Sequence, residues 1–165
     1  MKKNLKNVFF FVILLAAFNL SAASFTGTCI RITDGDSIAI WVHNKVVEVE
    51  LEGIDCPEIS QDFGKEAKDF TSSMIFKKKV TVHIKSYDSQ ERVVGRVFVD
   101  DKYLSLELVN AGLAWHDRKH NSEKILSGAQ KRAKKNKTGL WSKPKPTAPW
   151  LYRKKQEETS PDQSK

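Results

Sequence analysis

The stretch Val46-Val47-Glu48-Val49-Glu50-Leu51 alternates apolar and acidic side chains. Because successive side chains of a β-strand point to opposite faces of a sheet, this pattern predicts a half-buried strand with an acidic outer face. The preceding triplet His43-Asn44-Lys45 is typical of a hairpin turn, so we expect this strand to pair with one over residues 37–42. A β-hairpin therefore stands at the centre of the predicted fold.

Strand and helix patterns continue on both sides of the hairpin. The five predicted strands lie over residues 24–33, 37–42, 46–51, 80–84 and 93–99, and the three predicted helices over 65–78, 105–112 and 122–137. The fold class is therefore α+β, mainly β. The order of elements fits a small closed barrel, and it equally permits an open three-plus-two sheet with helices on one face.

The two ends of the chain differ in composition from its middle. Residues 1–23 join a lysine-rich start to an apolar run over 8–15 and a small-residue end, Ser21-Ala22-Ala23, which is typical of an export signal cleaved after Ala23. An uncleaved membrane anchor is the alternative. Residues 153–165 are polar and charged, which predicts a disordered tail. We therefore expect one domain over residues 24–152, secreted or periplasmic, monomeric, and without stable membrane association after cleavage.

Charge and cysteine content narrow the expected partners and chemistry. The chain has 28 Lys and Arg against 20 Asp and Glu, a formal charge of +8. This excess suits a polyanion such as DNA or RNA, although lysine-rich surfaces also serve solubility. Cys29 and Cys56 lack metal-ligand spacing, and in an oxidising compartment they are either bridged or two buried free thiols.

Several charged residues stand at the ends of the predicted strands. Asp36 and Asp55 border the two strands of the hairpin, so their carboxylates should converge and could hold a hard cation such as Ca²⁺. Glu58, held by the rigid Pro57, could direct a water at a phosphorus atom, and Arg96 begins a strand where its fork could bind phosphate. Each motif alone is most often an ordinary turn or surface residue; together they favour phosphodiester hydrolysis.

Their order along the chain carries a resemblance. The segments are Asp34-Gly35-Asp36-Ser37, Gly53-Ile54-Asp55-Cys56-Pro57-Glu58, Gly95-Arg96, Leu108-Val109-Asn110-Ala111-Gly112-Leu113-Ala114, Gly139-Leu140-Trp141 and Pro149-Trp150. Across roughly residues 26–152, the chain resembles the staphylococcal nuclease (thermonuclease) family. The resemblance implies a five-stranded OB-fold barrel and a calcium-dependent enzyme that cleaves DNA and RNA.

The resemblance also implies roles for individual residues. Asp36, Asp55 and the backbone carbonyl of Cys56 would be calcium ligands, and Asp34 would support them directly or through water. Glu58 would be the general base, and Arg96 one of two phosphate-clamping arginines.

The second clamping arginine is missing, because Glu50 stands at the position that the family pattern gives it. Glu50 is either an extra metal ligand that leaves phosphate to Arg31 or Arg92, the mark of a weak enzyme, or the mark of a barrel that only binds. A second departure is that the family often has an Asp and an aromatic residue at the positions of Arg92 and Val94.

The region after Ala114 lacks the tyrosines that pack on substrate in the best-known family member. Trp115, His116 and Arg118 are candidates for that contact, with a buried Trp115 as the alternative. We find no base-reading motif, so we expect little sequence preference. The competing hypotheses are an inactive OB-fold that binds nucleic acid or a protein, and an interaction protein that uses the lysine-rich last helix and tail.

Overall fold

The predicted strands and helices are present in the computed structural model of the chain, which describes residues 23–159. The strands are β1 Ser24–Ile32, β2 Ser37–Val42, β3 Lys45–Leu51, β4 Ile54–Asp55, β5 Lys79–Tyr87, β6 Val93–Val99, β7 Lys102–Tyr103 and β8 Trp115–His116. The helices are α1 Gly64–Ile75, α2 Leu104–Asn110, α3 Lys124–Asn136 and α4 Pro149–Thr159, and a 3-10 turn spans Gly139–Ser142. Within these residues, no helix is long and apolar enough to cross a membrane.

Pairing between β3 and β6 closes the sheet into a barrel. The long strands run in the order β3-β2-β1-β5-β6, with the short β7 beside β6. β3 and β6 pair in parallel, with Val49 opposite Val93 and Leu51 opposite Gly95, whereas the other long neighbours are antiparallel. The five-stranded OB-fold barrel is confirmed, and the open three-plus-two sheet is wrong.

The barrel core is filled by alternate strand residues. In β3, Val49 and Leu51 are buried and Glu50 is on the outer side, as the alternation predicts. Each apolar side chain buried in this way contributes about 1.5–3 kcal/mol of transfer free energy. α1 packs against the same core, and the buried Thr71 hydroxyl donates a 2.6 Å hydrogen bond to the Gly35 carbonyl. The loop between β1 and β2 is thereby fixed to α1.

Residues 153–159, the described part of the predicted disordered tail over 153–165, are helical, which corrects the prediction for that part. Residues Pro149–Thr159 form a fourth helix, α4, where three helices were expected. Pro149 fits the first helical position, where its fixed φ is favourable and its missing N–H costs nothing. The helix is also held from outside, because Tyr152 and Ser60 share a 2.8 Å hydrogen bond between their hydroxyl groups. Residues 160–165 lie outside the described part.

The remaining predictions concern the two cysteines, the start of the domain and the export signal. Cys29 in β1 and Cys56 after β4 are buried free thiols, so the alternative without a bridge is the one observed. β1 begins at Ser24, where the domain was expected to begin. Residues 1–22, which hold most of the predicted export signal, lie outside the described part.

Candidate active site

The loop between β1 and β2 is shaped by Asp34. One oxygen of its carboxylate, Oδ1, accepts hydrogen bonds from the backbone N–H of Asp36 at 3.1 Å and of Ser37 at 2.7 Å. Such side-chain-to-backbone bonds hold an Asx turn. A Cβ atom at Gly35 would lie 2.7 Å from Cys56 Sγ, so the close approach of the next loop requires glycine here. Asp34 thus supports the turn that presents Asp36.

The loop after β3 meets the first loop through a single hydrogen bond. The backbone N–H of Cys56 donates to Asp36 Oδ2 at 2.7 Å, which joins the predicted metal-binding residues of both loops. Gly64, at the start of α1, lies against Glu58, because a Cβ atom there would be 1.9 Å from the Glu58 carbonyl oxygen. The convergence predicted for Asp36 and Asp55 is present, and Glu58 lies beside them.

These side chains line one cavity of about 460 Å³. Its charged lining residues are six acids and two arginines: Asp34, Asp36, Glu50, Asp55, Glu58, Asp117, Arg92 and Arg153. Carboxylates that are gathered and partly buried in one cavity repel one another and attract cations.

The acids of the cavity show this repulsion. The pKa of Asp36 lies well above its ordinary value, first because of burial and then because of the neighbouring Asp34, although the Cys56 N–H opposes the shift. Burial also raises the pKa of Asp55 and of Glu50, against the opposing effects of Arg153 on Asp55 and of Ser37 and Arg92 on Glu50. A cation in the cavity would remove this cost.

The donor set fits a hard divalent ion in type and charge, since all six acids offer oxygen ligands. Within residues 23–159, however, no three acidic, His or Cys side chains converge as a ready-made ligand set. An ion bound at Asp36 and Asp55 would therefore need carbonyl or water oxygens to complete its shell, which calcium accepts.

Glu50 has partners that the sequence analysis did not identify. It accepts a 2.6 Å hydrogen bond from the Ser37 hydroxyl and forms an ion pair with Arg92. Arg92, from the segment before β6, also donates through Nε to Asp88 at 2.7 Å. Of the two arginines considered as replacements, Arg92 lines the cavity, whereas Arg31 pairs with Glu48 and does not line it.

Arg96 is not brought into the cavity, and this corrects its predicted place beside Asp36 and Asp55. Its Nε donates to Glu52 at 2.9 Å, and its Nη2 pairs with Glu123. Neither Arg96 nor its partner Glu52 is among the residues that line the cavity.

Arg153 of α4 is the cavity residue that sequence reasoning missed. Its Nη1 donates to Asp55 Oδ1 at 3.1 Å and to Glu58 Oε1 at 2.7 Å, and its Nη2 donates to Asp55 Oδ2 at 2.8 Å. The polar and charged composition of residues 153–165 predicts a disordered tail, which gives Arg153 no place in the site. The signal that could have found it is Pro149, which fits the first position of a helix.

A second groove, of about 550 Å³, adjoins the cavity and shares Asp55, Asp117 and Arg153 with it. Trp115 lies in it, with its ring centroid 5.5 Å from that of Trp150. Basic residues complete its wall, namely Arg118, Lys119 and Lys134. Aromatic and basic side chains together are typical of surfaces that bind single-stranded nucleic acid.

The three candidate substrate contacts differ in accessibility. Trp115 is half-buried and Arg118 is exposed, so both can meet a ligand in the groove. His116 is only 4% exposed, its backbone N–H donates to Gln130 Oε1 at 2.9 Å, and its ring Nε2 lies 3.1 Å from Asn121 Oδ1. His116 is nevertheless among the residues that line the groove, and the substrate contact expected of it stays a prediction.

Comparisons with known proteins identify relatives of the chain. The family model described as "Staphylococcal nuclease homologue" matches residues 48–143. An Escherichia coli protein named "Uncharacterized endonuclease" is 33% identical over 143 residues, covering 86% of this chain and 94% of that protein. A Shigella flexneri protein named "Micrococcal nuclease" is 31% identical over 143 residues, covering 80% and 82%. The segment matched by the family model contains Asp55, Glu58 and Arg92 but ends before α4.

Proposed function

This chain belongs to the staphylococcal nuclease family, and we propose that it is an exported, calcium-dependent nuclease that hydrolyses phosphodiester bonds of DNA and RNA. One observation carries the proposal, namely that the Asp36–Cys56 hydrogen bond gathers Asp36, Asp55 and Glu58 around one acidic cavity. Export to a secreted or periplasmic location rests on the pattern of residues 1–23.

Residues of the cavity divide the work of hydrolysis. Asp36, Asp55 and the Cys56 carbonyl would hold calcium, which supplies a positive centre for a phosphate oxygen when bound. Glu58 lies at the cavity wall with its side chain 34% exposed, where it can accept a proton from an attacking water. The guanidinium of Arg92 supplies positive charge on the side of Glu50.

The adjoining groove accounts for substrate class. Stacking on Trp115 and charge from Arg118 and Lys134 favour a single strand without reading its bases. Contacts to phosphate and to base faces carry no sequence information, so cleavage should show little sequence preference.

A second candidate is a catalytically weak or inactive barrel that binds nucleic acid. The position of Arg96 favours it, because Glu52 and Glu123 already neutralise the guanidinium that was expected to clamp phosphate.

The deciding experiment measures nucleotide release from DNA and from RNA by the mature chain, with calcium and with a chelator. Glu58→Gln should lower the rate by about a hundredfold or more, because it removes the proton acceptor. Glu66→Gln is the matched control, since Glu66 is an exposed glutamate in the first turn of α1. Binding without hydrolysis above the Glu58→Gln background would establish the second candidate instead.

A further inference from the structure

The guanidinium of Arg153 has one occupied edge and one open edge. Its two terminal nitrogens hold the Asp55 carboxylate, and Nη1 also reaches Glu58. The other edge consists of Nε–H and the second Nη2–H, and neither has an acceptor among residues 23–159. The side chain is 46% exposed, so solvent reaches it. A parallel pair of free N–H groups is the geometry that binds two oxygens of a phosphate.

The other arginines near the cavity offer less. Arg92 uses Nε on Asp88 and Nη1 on Glu50. Arg96 uses Nε on Glu52 and Nη2 on Glu123, and it lies outside the cavity. Arg153 is therefore the cavity arginine whose Nε edge is open in the described part of the chain.

The location of Arg153 gives that open edge a function. Both the acidic cavity and the aromatic groove are lined by Arg153, together with Asp55 and Asp117. A strand that lies in the groove and enters the cavity must pass this guanidinium. Glu58 contacts the same guanidinium, with its Oε1 2.7 Å from Nη1.

We propose that Arg153 of α4 binds the phosphate of the nucleic-acid strand at the junction of groove and cavity, and that α4 is thus part of the substrate site. The inference rests on the proposed function, because it names a contact for the same substrate. It assigns a ligand to a helix that lies beyond the segment matched by the family model.

Substitution of Arg153 need not release α4, because other contacts hold the helix. Tyr152 and Ser60 share a hydrogen bond of 2.8 Å, Pro149 is buried, and the Trp150 ring lies against Trp115. The thermal unfolding curve and the near-ultraviolet circular dichroism of each variant report whether these contacts remain.

The test compares Arg153→Gln, Arg153→Lys and the control Lys155→Gln, which removes one positive charge from an exposed position of the same helix. The binding probe is a short fluorescein-labelled single-stranded DNA in chelator, titrated over a series of salt concentrations. Loss of one phosphate contact to a single strand should reduce the slope of log affinity against log salt by about 0.7 for Arg153→Gln and leave the slope of Lys155→Gln unchanged.

Hydrolysis with calcium gives a second readout. We expect Arg153→Gln to lower kcat on the order of a hundredfold, and Arg153→Lys to keep the binding slope but not the full rate, because lysine retains charge without the planar fork. If Arg153→Gln disturbs the fold, Arg153→Lys alone carries the test.

The remaining outcomes separate the two proposals. Faster hydrolysis by Arg153→Gln would mean that the arginine blocks the site. Equal effects of Arg153→Gln and Lys155→Gln would mean that only net charge matters. Either result overturns the inference. A wild type that binds DNA with an Arg153-dependent slope but never cleaves it would end the proposed function and support the binding contact. A wild type that neither binds nor cleaves overturns both.

Discussion

Asp36→Asn should make the metal-free protein more stable, although it changes a residue at the centre of the proposed site. Burial and neighbouring carboxylates hold the pKa of Asp36 well above its ordinary value, so the charged form is disfavoured in the folded state. Asparagine keeps an acceptor for the Cys56 N–H and removes the charge. We expect a gain of about 1–2 kcal/mol in the free energy of unfolding at neutral pH, or about 4–8 °C in Tm.

The pH dependence follows from the direction of the shift. An acid with a raised pKa in the folded state binds more protons when folded than when unfolded, so its contribution to stability falls as pH rises above the ordinary aspartate pKa of about 4. The advantage of Asp36→Asn should therefore grow from acid toward neutral pH and vanish where Asp36 is protonated in both states.

Calcium should reverse the order of the two proteins. An ion at a hundred times its Kd adds about 2.7 kcal/mol to the wild type, and most of this gain should be lost in Asp36→Asn. The assay is thermal unfolding in chelator and in calcium, with Asp69→Asn, an exposed aspartate of α1, as the control. The reasoning is refuted if Asp36→Asn is the less stable protein in chelator, if the control gains as much, or if calcium stabilises both proteins equally.

Three further predictions concern the surroundings of the cavity. Glu50→Arg should cost about 2 kcal/mol in urea unfolding, because it sets a second guanidinium against Arg92, and adding Arg92→Asp should recover most of that loss. Gly64→Ala should lower kcat on the order of a hundredfold, since its Cβ atom would lie 1.9 Å from the Glu58 carbonyl oxygen and must displace that loop; an unchanged kcat would contradict the predicted role of the loop. Because both cysteines are buried free thiols, thiol titration of the unfolded protein should find two, and reductant should leave Tm unchanged.

The strands and the acidic half of the site could be predicted from the sequence because their signals are local. Closure of the barrel depends on the distant pairing of β3 with β6, so only the family resemblance implied it. Period-two alternation located β3, and the hairpin before it placed Asp36 and Asp55 at neighbouring strands. The aspartates then met because the turn geometry of adjacent strands leaves them little freedom.

The arginines could not be placed in this way, because their partners are distant in sequence. Arg96 is held by Glu52, 44 positions away, and Arg153 reaches Asp55 across 98 positions. The charged segment after Pro149 also has the composition of a disordered tail. Its helix is held by contacts with the rest of the domain, such as the one between Tyr152 and Ser60, and composition does not reveal such contacts. Long-range ion pairs of this kind have no periodicity from which to infer them.

The positions of Arg92 and Arg153 change the interpretation of Glu50 as a substituted arginine. If Glu50 were an isolated acid in place of an arginine, it would add repulsion to a cavity that already holds Asp34, Asp36 and Asp55. Instead, Glu50 forms an ion pair with Arg92, which directly precedes the neighbouring strand β6. The negative charge of Glu50 is therefore balanced by a positive charge beside it. Positive charge also enters from α4 through Arg153, at the point where the cavity opens into the groove. Guanidinium groups on both sides of the acidic residues suit phosphate binding in a nuclease and in a binding barrel alike, so the two candidates differ in whether Glu58 and a bound cation turn that binding into hydrolysis.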